Sequence, residues 1–137
     1  MVELGGDTVL PGFVDGHAHV INTGEAAQHV DLWSATSLVD IQQAIAAHAA
    51  AHPELPRIRA HGWRHDVVGG LPTRQMLDSV VPDRPVYAQA FDFHSVWLNS
   101  AALAEVGIDR DTVSPSGGAV HRDAEGEPTG YIDEIAM

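Results

Sequence analysis

Apolar positions along the chain follow two rhythms, continuous runs and a three-to-four-residue stripe. Val9-Leu10-Pro11-Gly12-Phe13-Val14-Asp15-Gly16-His17-Ala18-His19-Val20 begins as an apolar run and ends in polar residues, the pattern of a strand covered on both faces. Leu38, Ile41, Ala44, Ile45 and Ala49 then form a helical stripe. Ser37 is placed as its N-cap, Asp40 lies near the first-turn amides, and Pro53 ends it. The spacing predicts a strand over 57–63, a short helix from Leu71-Pro72-Thr73 through Val80, a buried strand over 85–91 and a helix from Asn99 to Val106, with Gly107 as its left-handed C-terminal residue. A hairpin is predicted over 117–131, turning through Asp123-Ala124-Glu125-Gly126, with a helix starting at Ile132. Strands alternating with helices predict an α/β fold with parallel strands.

Composition narrows the function classes. The chain has 137 residues, 45% of them hydrophobic, with 19 acidic residues against seven Lys plus Arg and a formal charge of −12. That is long enough for one core and too apolar for a disordered chain. The acidic balance argues against sequence-independent nucleic-acid binding and against docking on anionic lipid. The absence of cysteine removes thiolate nucleophiles, disulfides and Cys-based zinc sites. No apolar run approaches the ~20 residues of a membrane span, and the first seven residues lack the pattern of a signal peptide. A cytoplasmic protein is the expectation. Nine histidines outnumber Lys and Arg together, and imidazole is a common ligand for zinc and similar metals.

The sharpest chemical signal is His17-Ala18-His19 at the end of the first predicted strand. Residues two apart in a strand point to one side, so His17 and His19 can present two imidazoles to one metal. Asp15 can accept an N–H from a ligating ring and fix its tautomer. His61 and His65 would form a metal pair only on a helix, which Gly62 and the strand reading oppose. His48 and His52 have the same spacing on a predicted helix, where a solvated face explains them. His29 and His121 have no supporting context.

Leu10-Pro11-Gly12-Phe13-Val14-Asp15-Gly16-His17-Ala18-His19 resembles the first-strand signature of the metal-dependent amidohydrolase superfamily. Further stretches are similar to the branch of amidohydrolase family 3 containing N-substituted formamide deformylase-like enzymes. They are Trp63 after a Gly, Leu71-Pro72-Thr73, Leu77-Asp78, Arg84-Pro85-Val86, the run from His94-Ser95-Val96-Trp97-Leu98-Asn99 to Leu103, Gly117-Gly118 and Gly126-Glu127-Pro128-Thr129-Gly130. The resemblance implies a (β/α)8 TIM barrel with its site at the C-terminal strand ends. It implies one or two divalent metals, zinc first, that activate a water for hydrolysis of C–N bonds in a small-molecule amide or formamide substrate. His17 and His19 match the first-strand metal pair. Glu134, in Gly130-Tyr131-Ile132-Asp133-Glu134, matches a bridging carboxylate, with a glutamate at a helix N-terminus as the alternative. His94 is a substrate-carbonyl or metal contact. Asn99 is a substrate contact or a helix cap, and Trp63 and Trp97 are pocket walls or core.

A barrel of this kind needs ~250 residues, and the general-base Asp has no counterpart up to residue 137. The expectation is a partial barrel over 1–137, comprising first strands and helices plus a hairpin insertion, inactive alone and self-associating through exposed strand edges. The alternatives are a catalytically silent module with an amidohydrolase-like fold, or a histidine-rich metal-binding domain.

Overall fold

The computed structural model describes residues 5–16, 18 and 20–134. The elements run α1 (Val20–Ala26), β1 (Val30–Asp31), α2 (Leu38–Ala51), β2 (Ile58–Trp63), α3 (His65–Val68), α4 (Arg74–Asp78), β3 (Val86–Ala90), β4 (Ser95–Leu98), α5 (Ser100–Val106), β5 (Gly118–Arg122) and β6 (Pro128–Glu134). They build one six-stranded sheet in the order β1-β2-β3-β4-β6-β5.

The sheet is mixed. β1, β2 and β3 are parallel, whereas β4 pairs antiparallel with both β3 and β6, and β5 pairs antiparallel with β6. The expectation of an α/β fold therefore holds, with parallel strands confined to half the sheet. Direction reverses at β4 and reverses again at β6. The C-terminal ends of β2, β3 and β6 consequently share one edge of the sheet, here called the rim.

Burial alternates along the strands, as a pleated sheet with two different faces requires. Ile58, Ala60, Val86, Ala88, Ala90, Trp97 and Tyr131 join Ile41, Ile45 and Ala49 of α2 and Leu77 of α4 in the larger core. Ile41 and Ile45 are fully buried, each contributing about 1.5–3 kcal/mol of apolar burial. Ser37 caps α2 by accepting from the Asp40 amide at 3.2 Å, and Asp40 accepts from Thr36 N at 2.9 Å. On the opposite face Leu98, Ala102, Leu103 and Ile132 form a smaller cluster.

Two expectations are corrected. The run from Val9 to Asp15 forms no strand, and α1 begins at Val20. Phe13 and Val14 are more than nine-tenths exposed; an apolar run becomes a strand only when a neighbouring strand completes its ladder, and among the described residues no strand lies beside it. At the other end Ile132 continues β6 through Glu134 instead of opening a helix, because β4 and β5 pair with it on both sides. The short elements β1, α1, α3 and β4 lie below the length at which periodicity speaks.

Candidate functional site

Histidine and carboxylate side chains meet along the rim. His94, just before β4, lies beside Glu134 at the end of β6, with Nδ1 3.3 Å from Oε2. The Glu134 amide also donates to the His94 carbonyl at 2.8 Å. Asp92 accepts from the His94 amide at 3.0 Å, and its other carboxylate oxygen lies 3.9 Å from Nε2 of His65. On the neighbouring strand His121 Nε2 lies 2.7 Å from Oδ2 of Asp133. Phe93, just before His94, and Glu134 itself have left-handed backbones at φ 64° and 52°. For residues other than glycine this costs on the order of 1–3 kcal/mol each, and such strain clusters where a side chain must be aimed.

Buried aromatics support the rim from below. Trp63 and Trp97 pack edge to face with centroids 5.7 Å apart, and Tyr131 lies 6.3 Å from Trp63. Their indole N–H groups donate to Ala88 O at 2.8 Å and Thr73 O at 2.9 Å. Ser95 is buried, and its hydroxyl finds no partner among the described residues.

The sequence-derived candidates separate. His94 and Glu134 come together. Asn99 lies at the opposite end of β4, fully buried, with every hydrogen-bonding direction of its amide used. Its Oδ1 accepts from Val86 N and Ala102 N at 2.9 Å, and its Nδ2 donates to Val81 O and Arg84 O at 2.8 Å. Those bonds leave nothing for a substrate and correct that assignment; Asn99 is the cap of α5 and the clamp of β3. Trp63 is fully enclosed in the core, so it holds up the rim and walls no pocket here. Asp15 belongs to the exposed irregular segment ahead of α1. His17 and His19 lie outside the described residues. Among the described residues no three His, Asp or Glu side chains gather to hold a metal.

An open groove of about 650 Å³ lies on the sheet face turned away from α2, lined by Arg59, Tyr87, Val96, Leu98, Ile108 and Ile132 among others. Neither His94 nor Glu134 lines it. Part of its polar margin is paired: Arg59 with Glu25 at 2.6 Å and Arg57 with Glu105 at 2.8 Å, while Tyr87 donates to Glu105. Burial, followed by that hydrogen bond and the Glu105 charge, pushes the Tyr87 phenol up to about 12.

Two imidazoles away from the rim are held below their ordinary range. For His29 the causes are burial and then the Arg59 guanidinium; for His48 they are burial and then the neighbouring His52. A depressed folded-state value means that the unfolded chain binds protons first. The resulting stability is therefore present above the unfolded value of about 6.5 and is lost as pH falls through the folded one. The melting temperature is expected to drop between pH 7.5 and pH 5, and to drop less in the double variant H29Q/H48Q, as thermal melts at the two pH values will show.

Sequence inspection missed the His65–Asp92 and His121–Asp133 pairs. The second lay outside the predicted hairpin, which stopped at 131; in the structure β6 runs on to Glu134, Asp133 pairs with Ala119, and His121 stands two residues along from Ala119.

A family model described as the amidohydrolase family matches residues 1–136. The chain belongs to this family. Among its relatives, a Bacillus subtilis protein named as an amidohydrolase, YtcJ, is 38% identical over 138 residues, covering 99% of this chain and 26% of the relative. The N-substituted formamide deformylase of Arthrobacter pascens is 34% identical over 140 residues, again 99% of this chain and 26% of that enzyme. A crystal structure of an uncharacterized metal-dependent hydrolase from Pyrococcus horikoshii superposes with a TM-score of 0.61 at 28% identity, covering 92% of this chain and 22% of that one. This amidohydrolase chain thus spans about a quarter of the length of these relatives. Among its described residues no helix is long and apolar enough to cross a membrane.

Proposed function

We propose that residues 1–137 are the opening part of the catalytic barrel of a metal-dependent hydrolase acting on C–N bonds of small non-peptide amides or formamides. The observation that carries this is the row of His–carboxylate pairs on the rim where β2, β3 and β6 end, the edge at which barrel enzymes place their chemistry. The relative named as an N-substituted formamide deformylase supports the substrate class. The hydrolase from Pyrococcus horikoshii, described as metal-dependent, supports a divalent ion, with zinc the first choice for imidazole and carboxylate ligands. His17 and His19 would supply two imidazoles and Glu134 a carboxylate, with Asp15 orienting a ring. A metal held there would polarise a carbonyl and lower the pKa of water. His94, beside Glu134 and with its amide held by Asp92, is read as a substrate contact; it would donate to a carbonyl only with both ring nitrogens protonated. A cytoplasmic location remains part of this reading.

Equilibrium dialysis against micromolar zinc tests it. The chain is expected to retain about one ion, and H17A/H19A to lose it. A chain that takes up no zinc, or a double variant that keeps it, overturns the ligand assignment.

A further inference from the structure

His121 was unremarkable in the sequence, yet it makes the shortest of the rim's His–carboxylate contacts, 2.7 Å to Asp133. Both side chains are about 70% covered, at 30% and 27% exposure. The pair is built in from several directions. Asp133 uses its other carboxylate oxygen to accept from Ala119 N at 2.9 Å, which anchors it to β5. The imidazole lies against the Tyr131 ring with centroids 4.6 Å apart, and His65 meets the same tyrosine edge to face at 5.9 Å. Thr129 donates its hydroxyl to the His121 carbonyl at 3.2 Å. Ser95, with its unpartnered buried hydroxyl, is the residue directly opposite Asp133 in the β4–β6 pairing.

An ionised carboxylate only accepts hydrogen bonds, so in the neutral imidazole Nε2 of His121 carries the hydrogen and Nδ1 is left as an acceptor. No described residue donates to that nitrogen. We infer that His121, oriented by Asp133 against the Tyr131 ring, is a ligand-recognition site for small molecules presenting an N–H donor, such as an amine or a secondary amide. Asp133 is the positioning residue, and Nδ1 of His121 is the atom that touches the ligand. The amine or amide class rests on the C–N hydrolase reading above; the fixed tautomer does not.

Long-range nitrogen–proton NMR of the 137-residue chain tests this without requiring turnover. His121 is expected as the Nε2–H tautomer, and Asp133→Asn is expected to convert it to a mixture. Benzylamine and N-benzylformamide serve as probes. The Nδ1 resonance is expected to move on titration with either, with binding weakened roughly fivefold in D133N, the scale of one hydrogen bond. A wild-type ring without tautomer preference, or an Nδ1 resonance that ignores both probes, overturns the proposal. If the probes bind at His121 while the zinc experiment fails, the recognition site stands and the assignment of His17, His19 and Glu134 as metal ligands falls.

Discussion

Replacing Gly130 by alanine is expected to destabilise the protein by about 3 kcal/mol or more, or to prevent folding. Gly130 lies within β6 at φ 93°, a conformation that L-residues avoid because Cβ crowds the backbone. The surroundings add a second penalty. An added Cβ would penetrate the carbonyl oxygen of Leu98 and lie 3.1 Å from the Arg74 Cβ and 3.2 Å from its amide nitrogen. Two of those three atoms are backbone, in β4 and at the start of α4, so no side chain can swing aside. Gly62 provides the control. Its φ is also positive, at 86°, but its Cβ would meet the indole of Trp33 at 2.6 Å, a half-exposed side chain rather than backbone. Gly62→Ala is therefore expected to cost about 1–2 kcal/mol. Urea midpoints of the two variants should differ in this order; equal midpoints would show that β6 can shift away from β4.

Asn99→Ala is expected to cost about 3–5 kcal/mol, read as a lower urea midpoint with an unchanged slope. One side chain satisfies four main-chain groups, from Val81, Arg84, Val86 and Ala102. Truncation leaves them buried beside a small cavity, and an unsatisfied buried group costs about 1–3 kcal/mol. At an ordinary helix cap such as Ser37 the same change costs about 1 kcal/mol. A loss at Asn99 no larger than that would mean its strand contacts contribute little.

The long periodic segments were readable in the sequence because their pattern and their burial agree. α2, β2, β3, α5 and the β5–β6 hairpin follow the apolar spacing, and Ser37, Asn99 and Gly107 cap as their chemistry predicts. β4 was hidden because four residues cannot establish a period, and its pairing partners lie far along the chain. The run at 9–15 misled because apolar composition reports a capacity for pairing, while pairing itself depends on neighbours. His94 and Glu134 were chosen from family motifs 40 positions apart, and only the double reversal of direction at β4 and β6 explains why they meet. Asn99 belonged to the same motif as His94, but a motif does not reveal which end of a four-residue strand each member occupies. His121 escaped because its partner, Asp133, was counted only as the neighbour of Glu134.

At the edge of the sheet opposite the rim, Arg84 donates to three carbonyls, those of Ala49, His52 and Leu55, and Asn99 ties down the segment beside it. Substitutions there break several main-chain contacts at once. Most of the rim's ionisable groups, by contrast, are partly open to water and bonded chiefly to one another. Selection can therefore retune what the upper margin recognises at little cost to folding, whereas the lower margin tolerates almost no drift. A random-mutagenesis library screened for foldedness would be expected to return varied residues at 92, 94 and 121 and nearly invariant ones at 84 and 99.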